Sequence, residues 1–148
     1  MTARDIATDA FNDLLSAIGE AYRDRGKLAS GKTLRGTRVL VRSSSDLSAT
    51  AELLAPHQWK YVGNGRGPGR RPPIAPIKAW VEARGLNVNA WAVANNIAKF
   101  GSFDFRRKRT NIYLDEVKAF EEQKLPGVKE RHADLLREKV RNIVNNRN

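Results

Sequence analysis

The sequence predicts a mixed α+β chain: a helix-spaced apolar row opens it, two alternating apolar runs follow, and a second helix-spaced row closes it. From Asp5 to Arg25, Ile6, Ala10, Leu14, Ile18 and Tyr22 recur every fourth residue with Phe11 and Leu15 beside them. That spacing lines one face of a helix, and Gly26 is placed to end it. In TRVLVRSSSDLSATAELLAP, Val39 and Val41 alternate with Leu40 and Arg42, and Ala49 to Leu54 forms a second run after the turn SSSD. This reads as a β-hairpin. Trp59, Tyr61 and Val62 predict a third strand, so that strands fill residues 35–62.

Residues 63–73 form the most unusual stretch. Gly63, Gly65, Gly67 and Gly69 permit left-handed backbone, while Pro68, Pro72 and Pro73 fix φ and remove donors. The expectation is a shaped, basic loop carrying Arg66, Arg70 and Arg71. A helix from Ile74 to Arg84 follows, opened by prolines, bearing Trp80 and closed by Gly85. Asn89 caps a second helix, in which Trp91, Ala94, Ile97 and Ala98 share a side before Gly101 stops it. The pair occupies residues 74–101. FDFRRKRT reads as a connector, and Tyr113 to Gln123 as helix, broken by Pro126 and Gly127. Val128, His132, Leu135, Leu136, Val140, Ile143 and Val144 then give a last amphipathic helix, closing a helical segment over 112–146.

At 148 residues the chain predicts one domain. It has no apolar run of 18 residues, and MTARDIATDAF is polar, so the expectation is a soluble chain with no leader and no membrane association. Cysteine is absent, which excludes disulfides and thiolate zinc sites and fits a reducing compartment. The net charge of +11 is unevenly placed: the first 59 residues carry net +1, residues 60–109 carry 11 basic and 2 acidic side chains, and the remainder carries net +1. The middle third is therefore the part that attracts phosphate backbones or acidic protein surfaces.

Few motifs carry chemistry. Gly26 to Thr33, GKLASGKT, matches the phosphate-loop spelling G-x-x-x-x-G-K-[ST]. That mechanism needs a buried strand before the loop and a helix after it, whereas here a helix precedes and a strand-like segment follows. The match reads as accidental. A dinucleotide fingerprint starting at Gly63 fails at Pro68. His57 and His132 lie far apart in sequence without carboxylates at ligand spacing, and no nucleophile-base or paired-carboxylate pattern stands out. The expectation is no catalytic site, no metal and no cofactor. Arg106, Arg107, Lys108 and Arg109, flanked by Phe103, Phe105 and Tyr113, have the interleaving of a nucleic-acid groove. The alternative, preferred on sequence, buries Phe103 and Phe105 in the core beneath solvated charges.

The order of these features resembles the neck and tail-completion proteins of tailed bacteriophages. The resemblance runs from about residue 27 to 103. It rests on GKLASGKTLRGTRVLV, then WKYVGNGRGPGRRPPIAPIKAWVEARGL, then NAWAVANNIAKFGS. Tyr61, Gly65, Arg66, Pro68, Gly69, Pro72, Pro73, Ile77, Trp80, Gly85, Ala92, Ile97, Ala98 and Gly101 stand at the matching positions. The RRKR run and the segment after Pro126 depart from the pattern. The resemblance implies an α+β fold with a small antiparallel sheet packed against helices. It also implies a non-enzymatic virion protein, assembled in the host cytoplasm, that forms a homo-oligomeric ring in the neck or tail. The partners implied are portal, adaptor or stopper, and tail proteins, with DNA in the channel as a non-specific contact. Tyr61, Gly65, Arg66, Gly67, Pro68, Gly69, Pro72, Pro73, Trp80 and Trp91 become expected interface residues. Arg70, Arg71, Arg106, Arg107, Lys108 and Arg109 become expected contacts to phosphates or acidic partners. The alternative is a basic nucleic-acid-binding protein using the same arginines.

Overall fold

The first helix, α1 (Ala3–Asp24), is the axis on which the rest is assembled in this computed structural model, which describes residues 1–27, 31–108 and 111–146. Thr2 starts it with a reciprocal cap: its hydroxyl accepts from the Asp5 N–H at 3.2 Å, and the Asp5 carboxylate accepts from the Thr2 N–H at 2.8 Å. The hydrogen bonds that this carboxylate accepts, first from the Thr2 N–H and then from the Thr2 hydroxyl at 2.9 Å, hold the Asp5 carboxyl below its usual value. The predicted row Ile6, Ala10, Leu14, Ile18 and Tyr22 is buried throughout. Each large member contributes roughly 2 kcal/mol on leaving water. Gly26, with φ of +63°, follows the helix as expected.

Next come α2 (Lys32–Arg35) and the hairpin β1 (Arg38–Ser45) and β2 (Ser48–Leu54). The strands pair antiparallel, with Val39 opposite Leu53, Val41 opposite Ala51 and Ser43 opposite Ala49. Asp46 and Leu47 make the turn, so the serines expected there belong to β1, with an irregularity between Ser43 and Ser45. Along β2, Ala49, Ala51 and Leu53 turn inward and Ser48, Thr50, Glu52 and Leu54 outward. The fold is α+β: a two-stranded antiparallel sheet lies on α1, with two C-terminal helices, α7 (Ile112–Gln123) and α8 (Leu125–Asn145), on the same helix.

The third strand predicted at Trp59, Tyr61 and Val62 is instead a helix, α3 (Trp59–Asn64). Trp59 and Val62, three apart, both pack against the cluster of Leu14, Ile18, Tyr22 and Ile112, whereas a strand would have put Trp59 and Tyr61 on one side. The indole of Trp59 meets the Tyr22 ring edge-on at 5.7 Å and the Tyr113 ring at 5.2 Å. A second cluster, Ala3, Ile6 and Leu135, closes the other end of α1.

The chain continues through α4 (Ile74–Ala83), α5 (Ala90–Phe100), α6 (Phe103–Arg106), α7 (Ile112–Gln123) and α8 (Leu125–Asn145). Two further expectations change. Pro126 and Gly127 do not separate α7 from α8 but lie in the first turn of α8, where a proline's missing N–H leaves no helical bond unmade. Phe103 and Phe105 are not core residues: they are 49% and 46% exposed. Within the phosphate-loop match, residues 28–30 lie outside the described residues. Around them α1 precedes, and the four-residue α2, which starts within the match at Lys32, leads to β1 in place of the expected direct approach to the strand.

Candidate interface

The glycine-proline loop is laid over the end of α5 and the start of α6. Arg66 is the hinge of that contact: its N–H donates to the Ser102 hydroxyl at 2.8 Å and its carbonyl accepts from the Ser102 N–H at 2.7 Å. Farther along, the Gly69 N–H donates to the Ala98 carbonyl at 2.8 Å, and the Arg66 guanidinium to the Arg70 carbonyl at 2.6 Å. These hydrogen bonds hold the loop against the end of α5 and the start of α6.

The glycines do this in two ways. Gly65 (φ +74°) and Gly101 (φ +77°) take left-handed backbone. A Cβ on Gly101 would also lie 2.9 Å from the Arg66 carbonyl oxygen and 2.8 Å from Phe105 Cδ1. Gly63 and Gly67, which permit positive φ, do not take it. They are small because something presses on them. A Cβ on Gly63 would lie 2.7 Å from Asn111 Cγ, and one on Gly67 3.2 Å from the Phe105 ring. Phe105 thus wedges between Gly67 and Gly101 while keeping part of its ring in solvent.

The helices of the lobe are capped as read. Asn89 accepts from the N–H groups of Trp91 and Ala92 at 2.8 and 3.3 Å. At the end of α4, Gly85 (φ +62°) donates to the Glu82 carbonyl and Leu86 to the Val81 carbonyl, both at 3.0 Å, a Schellman closure. Two contacts fasten the lobe to α1's C-terminal end: Lys27 pairs with Asp104, and the Arg84 guanidinium donates to the Gly26 carbonyl.

The surface that results is apolar and cationic together. Trp91 is 56% exposed, and Trp80, Leu86, Val88, Phe100 and Phe103 are exposed with it. Cations sit over these rings: Arg107 at 4.6 Å from the Phe103 centroid, Lys99 at 5.0 Å from Phe100, Arg84 at 5.6 Å from Trp80 and Arg71 at 6.0 Å from Trp91. Arg70, Arg106 and Lys108 are exposed, and Arg109 lies outside the described residues. Pro68, Gly69 and Pro73 are exposed on the loop, while Pro72 is buried beneath it. The structure thus gathers most of the expected interface residues on one lobe. Tyr61 is on α3, where its ring meets His57 and Lys60.

Sequence reasoning overlooked a second exposed apolar surface. Leu135 of α8 packs on Ala3 and Ile6, but Leu136, Val140, Ile143 and Val144 are exposed. Helical spacing predicts such a stripe, but it carries no information on whether anything covers it. His132 donates to the Leu47 carbonyl at 2.8 Å and Lys139 reaches Asp46 at 3.6 Å, so α8 runs past the hairpin turn at α1's N-terminal end. Among the described residues no three His, Cys, Asp or Glu side chains gather to hold a metal ion, and no helix is long and apolar enough to cross a membrane. No protein-family model, curated protein or solved structure matches the chain.

Proposed function

We propose that the chain is a structural, non-enzymatic component of a tailed-bacteriophage virion. In this reading its copies join through unlike surfaces into a ring at the neck, between portal and tail. The observation that carries the proposal is the placement of the two exposed apolar surfaces. The aromatic lobe is fastened to one end of α1 and the α8 stripe emerges at the other. With 22 residues, α1 separates them by roughly 33 Å. A ring closes when a surface on one copy meets a different surface on the next, and two unlike apolar surfaces at opposite ends supply that arrangement. Exposed tryptophans beside arginines are also the side chains that dominate protein interfaces.

The chain has no cysteine, so single cysteines report contacts without background. Trp91→Cys and Ile143→Cys copies, mixed and oxidised in assembling particles, are expected to form the mixed disulfide dimer in preference to either like pair. If only Trp91–Trp91 or Ile143–Ile143 pairs of the cysteine variants cross-linked, the contact would be two-fold and the ring reading would fail.

A further inference from the structure

We infer that the basic lobe binds duplex nucleic acid through its phosphates, independent of sequence. This does not rest on the ring reading, because it concerns the isolated chain. Three observations lead to it.

The first is charge. Of the two acids in residues 60–109, Asp104 is occupied by Lys27, whereas Arg70, Arg71, Lys99, Arg106, Arg107 and Lys108 are exposed, with no ion pair among the described residues. Such an excess of unpaired cations attracts a polyanion.

The second is position. The hydrogen bonds of Arg66 with Ser102 and of Gly69 with Ala98 bring the loop arginines, the end of α5 and the α6 cations onto one lobe, though they are up to about forty residues apart in sequence.

The third decides between phosphate contact and base stacking. Phe103, Trp80 and Trp91 each have a guanidinium of this chain over the ring, and Phe100 has the Lys99 ammonium. A base stacking on such a face must displace its cation. The Arg84 guanidinium also donates to the Gly26 carbonyl, whereas those of Arg71 and Arg107 have no hydrogen-bond acceptor among the described residues, and a phosphate can accept two N–H groups from each. In this reading the lobe meets the backbone and leaves bases unread.

The test is fluorescence anisotropy with a dye-labelled, mixed-sequence DNA duplex and, separately, one of its strands, titrated over about 50 to 200 mM salt. For six contacts, from Arg70, Arg71, Lys99, Arg106, Arg107 and Lys108, the plot of log K against log salt should have a slope of about −5.4 for the duplex. The Arg106→Ser, Arg107→Ser, Lys108→Ser variant, checked by circular dichroism for native helix content, should lower the magnitude of that slope by about 3. The single strand should bind no more tightly than the duplex and leave tryptophan emission unquenched. Duplex binding too weak to detect at the lowest salt, an unchanged slope in the variant, or tighter single-strand binding with quenching would each overturn the inference. So would equal competition by polyglutamate of matched charge, which would assign the lobe to an acidic protein.

Discussion

Tyr22 and Gly63 are the single residues whose chemistry the fold constrains most. Tyr22 is 1% exposed and its hydroxyl has no hydrogen-bond partner among the described residues. Burial, helped by the nearby Tyr113, pushes its pKa up from the ordinary 10.0 to about 12. In the unfolded chain Tyr22 loses its proton near pH 10, while the folded chain holds it until about pH 12. The stability this group contributes is therefore complete below pH 10 and falls between those limits by up to about 1.4 kcal/mol per pH unit. Tyr22→Phe should unfold less steeply with alkaline pH in denaturant titrations. It should be as stable as the parent at neutral pH or more so, since it removes an unsatisfied buried group. An equally steep alkaline loss in Tyr22→Phe would place the titrating group elsewhere.

Gly63→Ala tests the other residue. Its methyl would push on Asn111, whose carboxamide oxygen accepts from the Tyr113 N–H at 3.1 Å and starts α7. The expected loss is about 2 kcal/mol, lost cap plus local overpacking, read as a drop in the urea midpoint. An unchanged midpoint would show that Asn111 moves aside freely. Gly26, Gly85 and Asn89 were legible in the sequence because each acts on its own helix. Gly63 was not, because the atom that requires it is 48 positions away (Asn111).

Among the elements, α1, the hairpin, α4, α5 and α7 were legible, since each carries its own period or cap. The stretch Trp59 to Val62 was misread because four residues cannot distinguish a spacing of two from one of three, and contact with Tyr22 and Tyr113 selects the helix. Phe103 and Phe105 were expected inside because aromatic rings usually are. The small residues at 67 and 101 made a surface groove for Phe105 instead. The α8 row divides at Leu135. Leu135→Ala should cost about 3 kcal/mol, the usual penalty for a buried leucine. Val140→Lys with Ile143→Lys should change stability by less than about 1 kcal/mol, because both side chains already meet solvent. Thermal melts of the two variants compare them directly. A large loss in the lysine pair would mean that the stripe is covered within the isolated chain.

At the scale of the whole molecule, the concentration of charge in residues 60–109 was readable by counting, and the loop's role as a shaped element by its glycines and prolines. The lobe's attachment to one end of α1 and the stripe's emergence at the other depend on long-range contacts such as Lys27 with Asp104 and His132 with Leu47. No local pattern announces those. They give the chain two ends with unlike apolar surfaces, the property on which the proposed ring depends. The central claim is that the chain is a stoichiometric part of the joined particle, and quantitative mass spectrometry of purified tailed particles tests it most directly. Several copies per particle, retained through density-gradient purification, are the predicted result; absence from joined particles that contain portal and tail proteins would contradict the account.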